Sequence, residues 1–253
     1  MGNEPIFDIT PKILNLVIDI STKIGEANAI KPLQVSPHLR KENRIRTIHS
    51  SLAIENNTLT LQQVTDIIDG KRVLGDPIEI KEVKNAVDAY NLLFQLNPMD
   101  IDDLLKAHRL MLHDLVSENG CFRNGDVGVF NGDELVHAAP PAKFVPQLIS
   151  ELFAWYKKSD VHPLVKSAVF HYEFEFIHPF ADGNGRMGRM WHTLLLGAYN
   201  EIFFWLPVEE LIKERQQEYY DALGISDRLA NCTTFVEMML EVIRDSLNLL
   251  SGI

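Results

Sequence analysis

The sequence predicts an all-α chain, a compact helical bundle interrupted by one short β-hairpin. Three observations carry that expectation. Apolar residues recur at spacings of three and four over most of the chain. Helix-start signals recur with them, a capping side chain followed by proline at Thr10-Pro11, Ser36-Pro37 and Asp76-Pro77. From Asp126 to Pro140 the period changes to alternation around Asn131-Gly132.

Taken in order, Thr10-Pro11 opens the first helix, with Leu14, Val17, Ile18 and Ile24 as its stripe, and residues 29–35 with Pro32 form a connector. Ser36-Pro37 opens the second, which runs to about Asn56 with Ile45, Ile48 and Leu52 on one face. Glu55 is the next member of that series, and Ser51 lies four residues before it. A carboxylate continuing an apolar seam needs a cation if it is buried. The other reading leaves Glu55 at a solvated helix end. Thr60 with Gln63 has the form of a capping box, and Gly70 closes a short helix. Asp76-Pro77 leads into a helix striped by Ile80, Val83, Val87, Tyr90 and Phe94. Asp100 caps the next, with Leu104, Ala107, His108, Met111 and Leu115 inward; His108 and His113 read as ordinary helix residues.

Val127, Val129, Leu135 and His137 alternate about Asn131-Gly132, as in a hairpin with a type I′ turn. This is either a surface loop or a flap whose open strand edge holds an extended target segment by strand addition. After Pro140-Pro141, Val145 to Tyr156 forms a helix with Leu148, Leu152 and Trp155 inward. Residues Val161 to Ile177 and Met187 to Tyr199 are apolar on nearly all sides and read as buried helices. Leu206-Pro207 precedes a helix ending at Tyr219, Tyr220 and Leu223; paired tyrosines there are read first as packing. Thr233 or Thr234 caps the last helix, striped by Phe235, Met238, Val242 and Leu249.

At 253 residues the chain has room for one large or two small domains. A formal charge of −11 argues against wide contact with nucleic acid or anionic membrane. Cys121 and Cys232 show no metal spacing, and residues 1–10 show no signal-peptide pattern, so a cytoplasmic location is expected. His171, Glu173, Glu175 and His178 match no zinc spacing.

Between the two buried helices lies His178-Pro-Phe-Ala-Asp-Gly-Asn-Gly-Arg-Met-Gly-Arg189. Gly183 and Gly185 let backbone approach a ligand closely, and a loop opening into a helix points free N–H groups at an anion. Arg186 and Arg189, three residues apart in the first turn, oppose the helix dipole and therefore suggest a polyphosphate ligand. Asp182 could hold a magnesium ion, and His178 is the nearby group able to take a proton near neutral pH. Together they propose phosphoryl or nucleotidyl transfer to a hydroxyl.

These twelve residues resemble the signature of the Fic family, His-x-Phe-x-(Asp/Glu)-Gly-Asn-Gly-Arg-x-x-Arg, at every fixed position. Ser51-Leu-Ala-Ile-Glu55-Asn56 resembles the inhibitory-helix motif (Ser/Thr)-x-x-x-Glu-(Gly/Asn) of many Fic proteins. The resemblance covers residues 36 to 245 and implies a Fic-type bundle: N-terminal helices over 1–58, with an inhibitory helix at 37–56, packed on a catalytic domain over 59–253. Its flap would span 126–140 and its catalytic loop 178–189.

The resemblance further implies transfer of AMP from ATP to a Ser, Thr or Tyr hydroxyl of a protein. His178 would be the base and Asp182 the Mg2+ ligand. Gly183, Asn184, Gly185, Arg186, Met187, Gly188 and Arg189 would bind the nucleotide, with Val136, His137, Ala138 and Ala139 of the flap and Tyr219 near the adenine. Glu55, supported by Ser51 and Asn56, would pair with Arg189 in the space of the γ-phosphate. Implied partners are target proteins docked on the flap and the chain itself as a self-modification substrate. A homo-oligomer is left open, and no nucleic acid or membrane is expected. Alternatives are removal of AMP by the same site, transfer of another nucleotide moiety, or a nucleotide-sensing module in which Glu55 permanently blocks turnover.

Overall fold

Local capping chemistry sets where the helices begin. The structure, a computed structural model, describes residues 4–30, 36–131 and 134–251. Among these residues are eleven α-helices and a two-stranded sheet. The first five helices are α1 (Pro11–Ile30), α2 (Pro37–Ile54), α3 (Leu61–Ile68), α4 (Pro77–Leu92) and α5 (Ile101–Met111). The hairpin follows as β1 (Gly128–Asn131) and β2 (Glu134–Ala138). Then come α6 (Val145–Lys158), α7 (Pro163–Ile177), α8 (Asn184–Tyr199), α9 (Val208–Glu214), α10 (Gln216–Leu229) and α11 (Thr233–Ser251). Thr10, Ser36, Asp76 and Asp100 each accept from a first-turn N–H, and Thr60 with Gln63 completes a capping box.

The core has two halves that share the α7–α8 hairpin. One half joins α2 through Ile45, Ile48 and Leu52 to α3–α6 and to Phe170, Phe174, Met190, Trp191 and Leu195. The other joins α1 and α9–α11 to Leu164, Val165, Ala168, Val169 and Leu196. Burial on both flanks explains why α7 and α8 are apolar nearly all round. Of the connector expected at 29–35, Ala29 and Ile30 instead belong to α1, and residues 31–35 lie outside the described residues. Among the described residues no helix is long and apolar enough to cross a membrane.

Four local expectations are corrected. The first helix buries Ile13, Leu16, Ile20 and Ile24, while Leu14 and Ile18 are exposed. This helix carries two apolar stripes. Its rotation matches the packing on α11, where Lys12 pairs with Glu241 at 2.8 Å. The helix expected after Pro207 is broken at Arg215, whose side chain reaches Glu218, Glu241 and Asp245. Thr233 begins α11 rather than capping it; Asn231 Oδ1 accepts the Thr233 N–H. Leu249, expected inward, is exposed.

In the hairpin Val129 pairs with His137 and Phe130 with Leu135, so Val136 is an unpaired bulge residue. Asn131 pairs with Glu134, so Asn131 belongs to β1 rather than to the centre of the turn. Gly132 itself lies outside the described residues.

Candidate active site

The loop between α7 and α8 is built by its own polar side chains. His178 ends α7 in the left-handed region at φ 50°, with its N–H donating to Phe174 O at 3.0 Å. The Asn184 side chain accepts from Phe180 N and donates to Phe180 O, satisfying both backbone groups of one residue. Phe180 is fully buried and stacks on His108 at 3.7 Å between ring centroids. Because Gly120 N donates to His108 Nδ1, Nε2 carries the proton that His108 gives to the Asp182 carbonyl. Burial holds His108 down to about 4, so it stays neutral. Gly183 has φ 80°, and a Cβ there would lie 2.5 Å from Leu112, so both backbone and space demand glycine.

Helix α8 starts at Asn184, three residues earlier than the apolar pattern suggests. Asn184, Gly185 and Arg186 therefore form its first turn, with N–H groups that have no intrahelical acceptor. Arg189 falls in the second turn, and the two arginines are held by different partners. Arg186 donates to Glu82 of α4 and to Asp182 Oδ1, each at 3.1 Å. Arg189, almost wholly buried, donates to Glu55 Oε1 at 2.8 Å, Ser51 O at 2.9 Å and Ser51 Oγ at 3.2 Å. Burial opposes its charge, but Glu55, Tyr219 and Glu175 together more than offset this and hold the guanidinium above its ordinary pKa. A Cβ on Gly185 would collide with the Glu55 carboxylate, so Glu55 lies over the open end of α8 where an anion would bind.

The end of α2 explains how Glu55 gets there. Asn56 adopts φ 68°, with Asn56 N donating to Ala53 O and Asn57 N to Leu52 O, a Schellman closure. Lys213 and Gln216 donate to the carbonyls of Ala53 and Ile54, and the Asn57 side chain donates to Glu82.

His178 Nδ1 faces the Glu175 carbonyl at 3.3 Å; a carbonyl only accepts, so Nδ1 carries the proton and Nε2 keeps its lone pair. Burial lowers the His178 pKa despite the opposing Glu175 charge, leaving a neutral imidazole at pH 7. Glu175 is itself pushed up to about 7 by burial, and its Oε1 has no hydrogen-bond partner among the described residues. Asp182, with its side chain about half exposed, accepts from Gly183 N and Arg186 through Oδ1. No group of three or more His, Cys, Asp or Glu suited to a metal occurs among the described residues. A single open carboxylate fits Mg2+ arriving with phosphates and water, rather than an ion caged by protein.

Some expected nucleotide contacts are placed elsewhere. Met187 is fully buried in the first core half, and Gly188 packs against Glu175. Tyr219 is 1% exposed, hydrogen-bonded to His171 at 3.2 Å and packed on Phe235, so it is a core residue. The exposed ring of this pair is Tyr220. His137 is pinned between Phe176 O and Asp227 at 2.8 Å each; both ring nitrogens face acceptors, and these outweigh burial to raise its pKa. Ala138 and Ala139 lie at the end of the hairpin with Ala138 exposed; for Val136 only the backbone is described. Glu82 and Arg123 belong to the site without having been singled out from the sequence, and Glu175 was named there only in a set that matched no zinc spacing. His108 was visible there only as a polar member of an apolar stripe.

The Fic/DOC family model matches residues 98–196. The chain is similar to a Fic family protein from Desulfovibrio desulfuricans G20, with TM-score 0.95 and 51% identity over 99% of this chain and 77% of that one. It also superposes on Fic-1 from C. elegans with TM-score 0.74 over 94% of this chain and 73% of that one; at 24% identity this bears on the fold alone. The protein adenylyltransferase Fic of Drosophila melanogaster is 29% identical over 227 residues, 83% of this chain and 42% of the fly protein. The chain thus spans less than half the length of the curated relatives it matches.

Proposed function

Because the chain belongs to the Fic family, we propose that it is a protein adenylyltransferase, moving AMP from ATP to a protein hydroxyl and restrained by its own Glu55. The observation that carries this reading is the 2.8 Å Glu55–Arg189 pair lying over the N-terminus of α8. A carboxylate occupies there the place of an anion, next to a histidine whose Nε2 is free to take a proton.

In the proposed reaction His178 Nε2 accepts the proton of a Ser, Thr or Tyr hydroxyl as its oxygen attacks the α-phosphorus. The bond from the α-phosphorus to the bridging oxygen breaks and pyrophosphate leaves, so the target carries AMP and the imidazole carries the proton. Charge builds on the departing oxygens, where Arg186, Arg189 and the first-turn N–H groups of α8 neutralise it. Asp182 would hold Mg2+, which supplies further charge neutralisation on phosphate oxygens. A target segment would lie along the hairpin edge by strand addition, and the chain itself would serve as a self-modification substrate.

ATP labelled separately at the α- and γ-phosphates tests this on wild type and Glu55→Gly. Protein-bound α-label that rises in Glu55→Gly and vanishes in Glu55→Gly/His178→Ala supports AMP transfer with His178 as base. Equal labelling with and without His178 removes it from that role. Protein-bound γ-label identifies a kinase, binding without transfer a sensor, and loss of label from a pre-modified target a hydrolase.

A further inference from the structure

The buried Arg123, between α5 and the hairpin, holds more of the site together than any residue of the signature. Its Nε donates to His178 O at 2.7 Å, and Nη2 donates to Ile177 O at 3.3 Å. From the same guanidinium Nη1 donates to Gly125 O at 2.9 Å and Nη2 to Pro140 O. Its backbone N–H donates to Pro179 O at 3.0 Å. The side chain is 1% exposed, and its nearest carboxylate among the described residues, Asp126, is 4.0 Å away and itself accepts from Ala142 N.

A cation at the C-terminus of α7 would account for the bonds to Ile177 and His178. It does not account for the other two. Gly125 and Pro140 are the points where the chain enters and leaves the hairpin. One rigid, planar fork therefore fixes both hairpin ends against the peptide of the left-handed His178.

We infer that Arg123 is a positioning residue that sets the distance and angle between the flap and the general base. What it positions rests on the AMP-transfer reading: a hydroxyl presented along the hairpin must reach His178 Nε2 within a hydrogen bond. The charged and titratable groups acting on His178 are Glu175 on its own helix, His137 on the hairpin and Arg123. Arg123 lowers the imidazole's proton affinity as well as fixing its backbone.

Arg123→Ala would strand four carbonyls, so the test uses Arg123→Lys and Arg123→Gln in the Glu55→Gly background. Lys keeps the charge without the fork; Gln keeps neither. Melting curves report how much protein is folded. Hydrogen exchange of the β1 and β2 amides reports the flap, histidine NMR the His178 titration, and α-labelled ATP the rate per folded molecule. Both variants should exchange flap amides at least about 10-fold faster while α8 and α11 keep their protection. Both should lose label at roughly 100-fold, the scale of a misplaced reacting group. Only Arg123→Gln should move the His178 midpoint upward. Flap exchange and labelling within about twofold of the parent in the folded variants, or labelling that tracks only the folded fraction, would overturn the role. If the Glu55→Gly parent takes no α-label, the AMP-transfer reading fails, while flap exchange and the His178 titration still decide the case for Arg123.

Discussion

At Arg189 three acceptors converge on one guanidinium, and only Glu55 among them is charged. Removing Glu55 leaves the arginine bonded to Ser51 but without its counter-charge. For a fully buried pair the loss is ~3–5 kcal/mol, whereas the Glu55 side chain is 36% exposed, so Glu55→Gly should lower unfolding free energy by ~1–3 kcal/mol in urea melts. Its labelling rate should nevertheless rise, by ~100-fold if the restrained state is favoured by ~3 kcal/mol. In the proposed reaction His178 must be neutral to act. Its pKa lies below the ordinary 6.5, so the acid limb of the rate profile in Glu55→Gly should fall below pH 6.5. Glu175 has its own signature. Its pKa rises from 4.5 unfolded to about 7 folded, so the unfolded chain loses the proton first and stability declines between those values as pH rises. The decline is up to about 3 kcal/mol for this group. Glu173, also raised to about 7, adds a slope of the same sign, whereas the buried His108 and His171, held down to about 4 and about 3, give the opposite slope below 6.5. The stability of Glu175→Gln relative to wild type should therefore rise across that window, by up to about 3 kcal/mol, in denaturant titrations.

The segment after α2 turns back through Asn56 at φ 68°, a conformation costing roughly 1–2 kcal/mol for most residues. Asn56→Gly should keep labelling as low as wild type. Asn56→Val should destabilise by about that amount and raise labelling, because Glu55 no longer sits at a fixed helix end. This element was legible in the sequence, since a carboxylate on the Ile45–Ile48–Leu52 seam called for a cation and the motif resemblance named Arg189. The loop at 178–189 was legible for a similar reason: the groups of its motif are consecutive residues. Arg123, Glu82 and His108 were not, because their partners are carbonyls and charges 55, 104 and 74 positions away. The buried side of α1 was misjudged because Leu14 and Ile18 make as good a local stripe as Ile13, Leu16 and Ile20; only α11 decides between them. Ile20→Ala should therefore cost ~2–5 kcal/mol and Ile18→Ala within about 0.5, by the same melts.

Over the whole molecule the site sits where both core halves meet, at the α7–α8 hairpin. Ile45, Ile48 and Leu52 seat α2 in one half, while α9 and α10 of the other half grip the end of α2 through Lys213 and Gln216. The Glu55–Arg189 pair is therefore held through contacts of α2 with both halves. The central claim is that Glu55 and the terminal phosphate of ATP compete for Arg189. Equilibrium binding of ATP and of ADP, to wild type and to Glu55→Gly, tests it most directly. Competition predicts that Glu55→Gly tightens ATP binding by at least about 10-fold and leaves ADP binding nearly unchanged. An equal gain for both nucleotides, or none for ATP, would contradict it.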